Sequence, residues 1–196
     1  MRFDKGPYLC VGADPHPEIL SSWGLDVSIK GLSEFNRWFI DSIPEGLEIV
    51  KPQVSLYERY GSKGMAELES LLSSLAKLGI YSIADAKRSD IGSSMKGYAS
   101  GWLAKDAPFL ASALTVSPYL GVGALDETIE MAARNKKRVF VLVATSNPEA
   151  FELQKGGVSK SILEDLVAFD RDAIGVVIGA TVDTATYGLD QLLRIP

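Results

Sequence analysis

One cysteine and one histidine are all that 196 residues contain of the commonest soft metal ligands. The lone Cys10 excludes an internal disulfide and a cysteine cluster, and the lone His16, between two prolines, argues against a histidine-rich zinc site. No apolar run approaches the roughly 20 residues of a membrane-spanning helix. The opening stretch MRFDKGPYLC lacks the apolar core of a secretory signal, so the cytoplasm is the expected location. Lys and Arg form no long run, and the net charge is −5, which argues against a dedicated nucleic-acid or membrane-surface binder. A small anion needs only a local positive pocket. With no linker or low-complexity stretch and 46% hydrophobic residues, the chain can bury a substantial core, and residues 1–196 read as a single domain. Its chemistry must come from Lys, Asp, Ser and the backbone.

What is present is a regular alternation. Six β-rich runs recur: YLCVGA (8–13), LEIVKPQ (47–53), IYSIADAK (80–87), SALTVS (112–117), RVFVLVA (138–144) and IGVVIGA (174–180). Helix-like segments lie between them, at 27–43, 64–79 and 124–135, the second carrying an apolar stripe at Leu68, Leu71, Leu72, Leu75 and Leu78. Alternating strands and helices imply parallel strands joined by right-handed crossovers, in either a doubly wound sheet or a β/α barrel.

Polar strand ends choose between the two. Side chains alternate faces along a strand, which groups Cys10 with Gly12 and Asp14, Ile49 with Lys51 and Gln53, and Tyr81 with Ile83, Asp85 and Lys87. Each group ends in polar residues. Functional side chains at the C-terminal ends of several successive strands are the arrangement expected of a β/α barrel. A doubly wound sheet would carry a glycine-rich turn after its first strand, and VGADPHP is not that fingerprint.

For Asp85 and Lys87, a solvated strand end with a weak surface pair stands beside a site. Company favours the site: Asp14 and Lys51 occupy equivalent strand ends, and Asp90 follows in the next loop. In an interleaved Asp/Lys array each carboxylate keeps a lysine charged, and the lysines offset carboxylate repulsion. Lys87 could donate a proton or, if desolvated, form an imine; flanking carboxylates favour the ammonium and hence proton donation. Asp90, in SDIGSS, is read either as the N-cap of the following helix or as a member of the array. Ser146 and Asn147, in TSNP, either form a plain turn or present hydroxyl and amide groups to a heterocyclic base. Arg88 alternates to the other face from Lys87 and is read as a structural or interface cation.

These residues resemble the orotidine 5′-phosphate decarboxylases, in particular the bacterial subfamily with GLDPHP, KPQ…FERYG, DAKRGDIG, NPYLG and TSNPG. Here the stretches are GADPHP (12–17), KPQVSLYERYG (51–61), DAKRSDIG (85–92), SPYLG (117–121), TSNPE (145–149) and VIGAT (177–181), in the same order. The conjunction of KPQ…ERYG with DAKRxDIG is more specific than any single motif.

The resemblance implies a TIM (β/α)8 barrel, of which about six β/α units are present in this chain. It implies conversion of orotidine 5′-monophosphate to UMP and carbon dioxide in de novo pyrimidine biosynthesis, with no metal and no organic cofactor. Lys51, Asp85, Lys87 and Asp90 would form the charged catalytic network, with Lys87 as proton donor. Asp14 would bind ribose hydroxyls and Ser146 the pyrimidine, and Asp90, with Ile91 and Ser94 beside it, would enter the site of a partner in a homodimer. Ser94 stands where the family commonly has Thr, Ser117 where it has Asn, and Ser89 where it has Gly; no charged group is lost.

The family continues into a seventh strand ending in PGxGAQGG and an eighth with a phosphate-binding arginine, whereas this sequence reaches LLRIP where that stretch is expected to begin. The expectation is that the last two strands and the main phosphate grip are missing here. A related phosphosugar enzyme of the hexulose-phosphate synthase kind, using a metal, and a silent nucleotide-binding remnant are the alternatives; TSNP and KPQ favour the decarboxylase.

Overall fold

In the computed structural model, which describes residues 7–169 and 172–190, each of the six β-rich runs contains a strand: β1 (Cys10–Ala13), β2 (Ile49–Pro52), β3 (Tyr81–Arg88), β4 (Ala113–Val116), β5 (Arg138–Ala144) and β6 (Ile174–Ile178). The stretch LLRIP lies outside the described residues. Helices separate the strands: α1 (Pro17–Ser22), α2 (Ile29–Asp41), α3 (Ser55–Glu58), α4 (Gly61–Lys77), α5 (Gly92–Leu103), α6 (Asp126–Arg134), α7 (Phe151–Leu153) and α8 (Ser159–Leu166). Among the described residues no helix is long and apolar enough to cross a membrane.

The residues group into two units, one made of residues up to Ala86 with Asp106–Leu114, the other of Lys87–Lys105 with Thr115 onward. In the first, β1, β2, β3 and the start of β4 follow one another in chain order. The β1–β2 and β2–β3 pairs are parallel, with Gly12 opposite Lys51, Ile49 opposite Tyr81, and a further bridge joining Gln53 to Asp85. This register carries the polar ends of β2 and β3 to the same level. In the second unit β5 and β6 pair in parallel, with an irregularity between Leu142 and Ala144.

The helices form where the apolar stripe and the caps agree. The Ser28 hydroxyl accepts from the Gly31 N–H at the start of α2, an N-cap contributing about 1 kcal/mol. On α4, Leu68, Leu71, Leu72 and Leu75 are buried, each contributing about 1.5–3 kcal/mol. Leu78 departs from the expected stripe: it is the C-cap and is exposed. The helix stops there because Gly79 takes a φ of 72°, letting its N–H reach Ala76 O at 3.1 Å and the Ile80 N–H reach Leu75 O at 3.0 Å, a glycine-dependent stop.

In the first unit a buried polar chain ties α2, α3 and α4 together. The Tyr57 hydroxyl donates to Asn36 Oδ1 at 2.9 Å, and Asn36 Nδ2 donates to the Glu67 carbonyl at 3.1 Å and to its carboxylate at 3.3 Å. Tyr57 and Asn36 are buried, so each hydrogen bond offsets a desolvation cost rather than adding a surplus. The chain fixes α3, and with it the turn that follows Lys51 and Gln53. In the second unit Met95, Trp102 and Leu103 of α5, Ile129 of α6, Val139, Val141 and Val143 of β5 and Leu163 and Leu166 of α8 are buried core residues.

Candidate active site

Asp85 is the most buried of the candidate acids, 7% exposed, and a carboxylate so placed needs donors. It has them: Lys51 Nζ lies 3.0 Å from Oδ2, and Gln53 Nε2 donates to the same oxygen at 3.3 Å. Its backbone is held as well, because the Val54 N–H donates to the Asp85 carbonyl at 3.2 Å. Lys51 on β2 and Gln53 just past its end are two apart, and the bridge of Gln53 to Asp85 lets both reach one carboxylate. Gln53 was legible only as a member of the Lys51 face; its role as a ligand of Asp85 needed the strand register.

Asp14 stands past the end of β1 and is half-buried. Its carboxylate arches over Gly12, where a Cβ would lie 2.8 Å from Oδ2, and its Oδ1 is buried without a hydrogen-bond partner among the described residues. An acceptor so placed suits a ligand hydroxyl. The Cys10 thiol, on the same strand, retains solvent exposure yet is pushed up from its ordinary value by burial, against the opposing pull of the Lys51 ammonium.

Lys87 lies in the second unit and leaves the extended conformation of the residues before it. Its φ is 48°, in the left-handed region. A non-glycine residue there costs about 1–3 kcal/mol and persists only when its surroundings hold it. The Lys87 N–H donates to Oγ1 of buried Thr115 at 2.9 Å, which supplies that hold. Lys87 is exposed and lines a cavity of about 620 Å³ with Ser117, Leu142, Thr145, Asn147 and Gln154 among its other walls. Arg88 has its guanidinium 5.4 Å from the centroid of the Tyr98 ring on α5, a structural placement.

Asp90 is not an N-cap. Helix α5 begins at Gly92 with Ile91 as its cap residue, no side chain caps it, and the Asp90 carboxylate accepts from the adjacent Ile91 N–H at 2.8 Å. The chain is still extended at Ile91, one residue further than the SDIGSS pattern suggested. Asp90 is half-buried, while Ile91 and Ser94 are exposed around the first turn of α5.

Ser146 is exposed and sits between two residues whose side chains are pinned. The Thr145 N–H donates to Gln154 Oε1 at 2.8 Å, Gln154 Nε2 donates to Thr145 Oγ1 at 3.0 Å, and the Thr145 hydroxyl lies 2.7 Å from Asn147 Oδ1. Ser146 lines a second cavity of about 440 Å³, with Thr181, Asp183 and Thr186; Thr145 and Asn147 line both cavities. Gln154 escaped sequence reasoning because no local pattern links it to a turn nine residues earlier.

The profile of the orotidine 5′-phosphate decarboxylase / HUMPS family matches residues 7–193. A Corynebacterium glutamicum protein named orotidine 5′-phosphate decarboxylase is 46% identical over 188 residues, covering 89% of this chain and 68% of its own. One of the same name from Streptomyces coelicolor is 40% identical, covering 95% of this chain and 71% of its own. Among solved structures, one from Streptomyces avermitilis assigned as an orotidine 5′-phosphate decarboxylase superposes with a TM-score of 0.88 at 40% identity, over 96% of this chain and 70% of that one. The Methanocaldococcus jannaschii enzyme, at 16% identity and a TM-score of 0.67 over 97% of this chain and 79% of that one, shares the fold. The α/β architecture is that of the β/α-barrel family, with six of its strands among the described residues. The chain belongs to the orotidine 5′-phosphate decarboxylase / HUMPS family.

Proposed function

We propose that this chain carries the machinery that converts orotidine 5′-monophosphate to UMP and carbon dioxide, in de novo pyrimidine biosynthesis, without a metal or organic cofactor. The observation that carries the reading is the Lys51–Asp85 ion pair, a buried carboxylate and its lysine at the ends of neighbouring strands, in a member of this family. The hexulose-phosphate synthase alternative is not favoured, since the relatives at 40–46% identity are named decarboxylases.

In the reaction the bond from the pyrimidine ring to its carboxylate breaks, the electron pair stays on the ring carbon, and carbon dioxide leaves. The Asp85 charge opposes the substrate carboxylate, Lys51 holds Asp85 ionised and in place, and the Lys87 ammonium stabilises the carbanion-like carbon and then gives it a proton. A fixed array of charges does this with little reorganisation, which makes electrostatic preorganisation the larger contribution. The unpartnered Asp14 Oδ1 accepts from ribose hydroxyls, and Ser146 meets the base. Asp90, with exposed Ile91 and Ser94, enters the site of the second subunit of a homodimer, and the enzyme works in the cytoplasm.

The test is turnover, followed as loss of orotidine 5′-monophosphate absorbance. Lys87→Ala loses at least about 10³-fold in kcat, the scale of a positioned acid–base group, while UMP binding changes a few-fold at most. Mixing Lys87→Ala with Asp90→Ala subunits restores activity, because one site of the mixed dimer regains both residues. Undiminished turnover in Lys87→Ala overturns the reading.

A further inference from the structure

We propose that Gln154 is a positioning residue for base recognition: its carboxamide fixes the Thr145–Asn147 turn and thereby aims the Ser146 hydroxyl. This rests on the reading that Ser146 meets the pyrimidine.

Thr145 follows the last residue of β5, where the ladder ends irregularly. The Gly179 N–H donates to the Ala144 carbonyl at 2.8 Å, and the next amide, that of Thr145, takes a side-chain partner in Gln154. The Gln154 carboxamide bonds the amide and the hydroxyl of Thr145 at once, accepting from the N–H at 2.8 Å and donating to Oγ1 at 3.0 Å. Two contacts from one planar group fix both position and orientation.

The hydrogen bonds then run in one direction. With Gln154 Nε2 donating to it, the Thr145 hydroxyl spends its own proton on Asn147 Oδ1 at 2.7 Å, and Asn147 Nδ2 donates to Glu149 Oε2 at 3.1 Å. Ser146 is thus flanked by two side chains in one relay that begins at Gln154. From the other side Gly179 closes in: a Cβ there would lie 2.9 Å from the Ser146 nitrogen and 3.0 Å from its Cβ. The backbone of Ser146 therefore has little room to shift.

Gln154 begins the segment Gln154–Val158 that joins α7 to α8, where the chain kinks at Gly156 and Gly157, the latter at a φ of 98°. On its far side Ser159, fully buried, donates its hydroxyl to the Val143 carbonyl at 2.5 Å, so the segment is tied to β5 at one end and to Thr145, the residue after β5, at the other. Gln154 also lines the cavity that Lys87 lines.

Binding of UMP and of ribose 5-phosphate to the full chain and its variants, by calorimetry, tests this. Ser146→Ala and Gln154→Leu each weaken UMP about tenfold, the loss of one hydrogen bond to a ligand, and leave ribose 5-phosphate within about twofold. The double variant binds UMP no worse than Ser146→Ala alone, since Gln154 acts only through Ser146. If Gln154→Leu does not fold, Gln154→Glu keeps the acceptor for the Thr145 N–H, lacks the donor to Oγ1, and weakens UMP selectively. If the wild type binds no UMP, or Ser146→Ala binds it as well as the wild type, the reading of Ser146 falls and this inference with it. If Ser146→Ala weakens UMP but the Gln154 variants do not, add to Ser146→Ala, or weaken ribose 5-phosphate equally, the inference alone is overturned.

Discussion

Lys51 Nζ stands 3.0 Å from Oδ2 of Asp85, and Gln53, two residues further along the chain, donates to that same oxygen. A donor of β2 and one just past its end therefore converge on one atom of β3. The carboxylate is buried and Lys51 about one-third exposed, so the pair is screened on one side only.

Breaking that pair is expected to cost both activity and stability. Lys51→Met leaves Asp85 with fewer donors in a buried position and destabilises the fold by about 1–3 kcal/mol. Asp85→Asn in the same background recovers part of the loss, because the buried charge that Lys51 faced is gone. Urea unfolding of the two single variants and the double variant measures this. Simple additivity of the single losses would show that the two side chains are not coupled.

Lys87 carries a strained backbone, and strain separates from chemistry by substitution. Lys87→Gly relieves the left-handed φ and is expected to be more stable than Lys87→Ala by about 1 kcal/mol, while both are inactive. Thermal melts of the two variants at one pH decide it. Equal stabilities would mean that the backbone leaves this conformation once the side chain is lost.

The alkaline limb of stability is expected to depend on Tyr57. Burial, with smaller contributions from the Asp14 and Glu67 carboxylates, pushes its hydroxyl far above the ordinary tyrosine value of 10.0. Below that ordinary value both the folded and the unfolded chain hold the proton, and the contribution is complete. As pH rises past it, the unfolded chain releases the proton and the folded chain does not, so stability falls by roughly 1.4 kcal/mol per pH unit from this group. Tyr57→Phe removes this slope at a cost of about 1 kcal/mol at neutral pH, since Asn36 Oδ1 loses its donor. Denaturant midpoints between neutral and alkaline pH compare the two proteins.

Periodicity and strand-end chemistry, read along the chain, determined the six strands, the parallel α/β class and the choice of Asp14, Lys51, Asp85 and Lys87 as candidates. These follow from contacts within a few residues, where side-chain alternation and apolar spacing report directly on what is buried. The motifs around them carried the resemblance to the family. Tertiary structure alone decided which oxygen of Asp85 Lys51 and Gln53 share, since that depends on the register of β2 against β3. It also decided that Lys87 leaves the extended conformation, that Asp90 is not the cap of α5, and that Gln154 returns to clamp Thr145. The Lys87 angle is held by a hydrogen bond to Thr115 and the Gln154 clamp spans nine residues, while the Asp90 outcome turns on where the chain stops being extended, and a linear pattern encodes none of these.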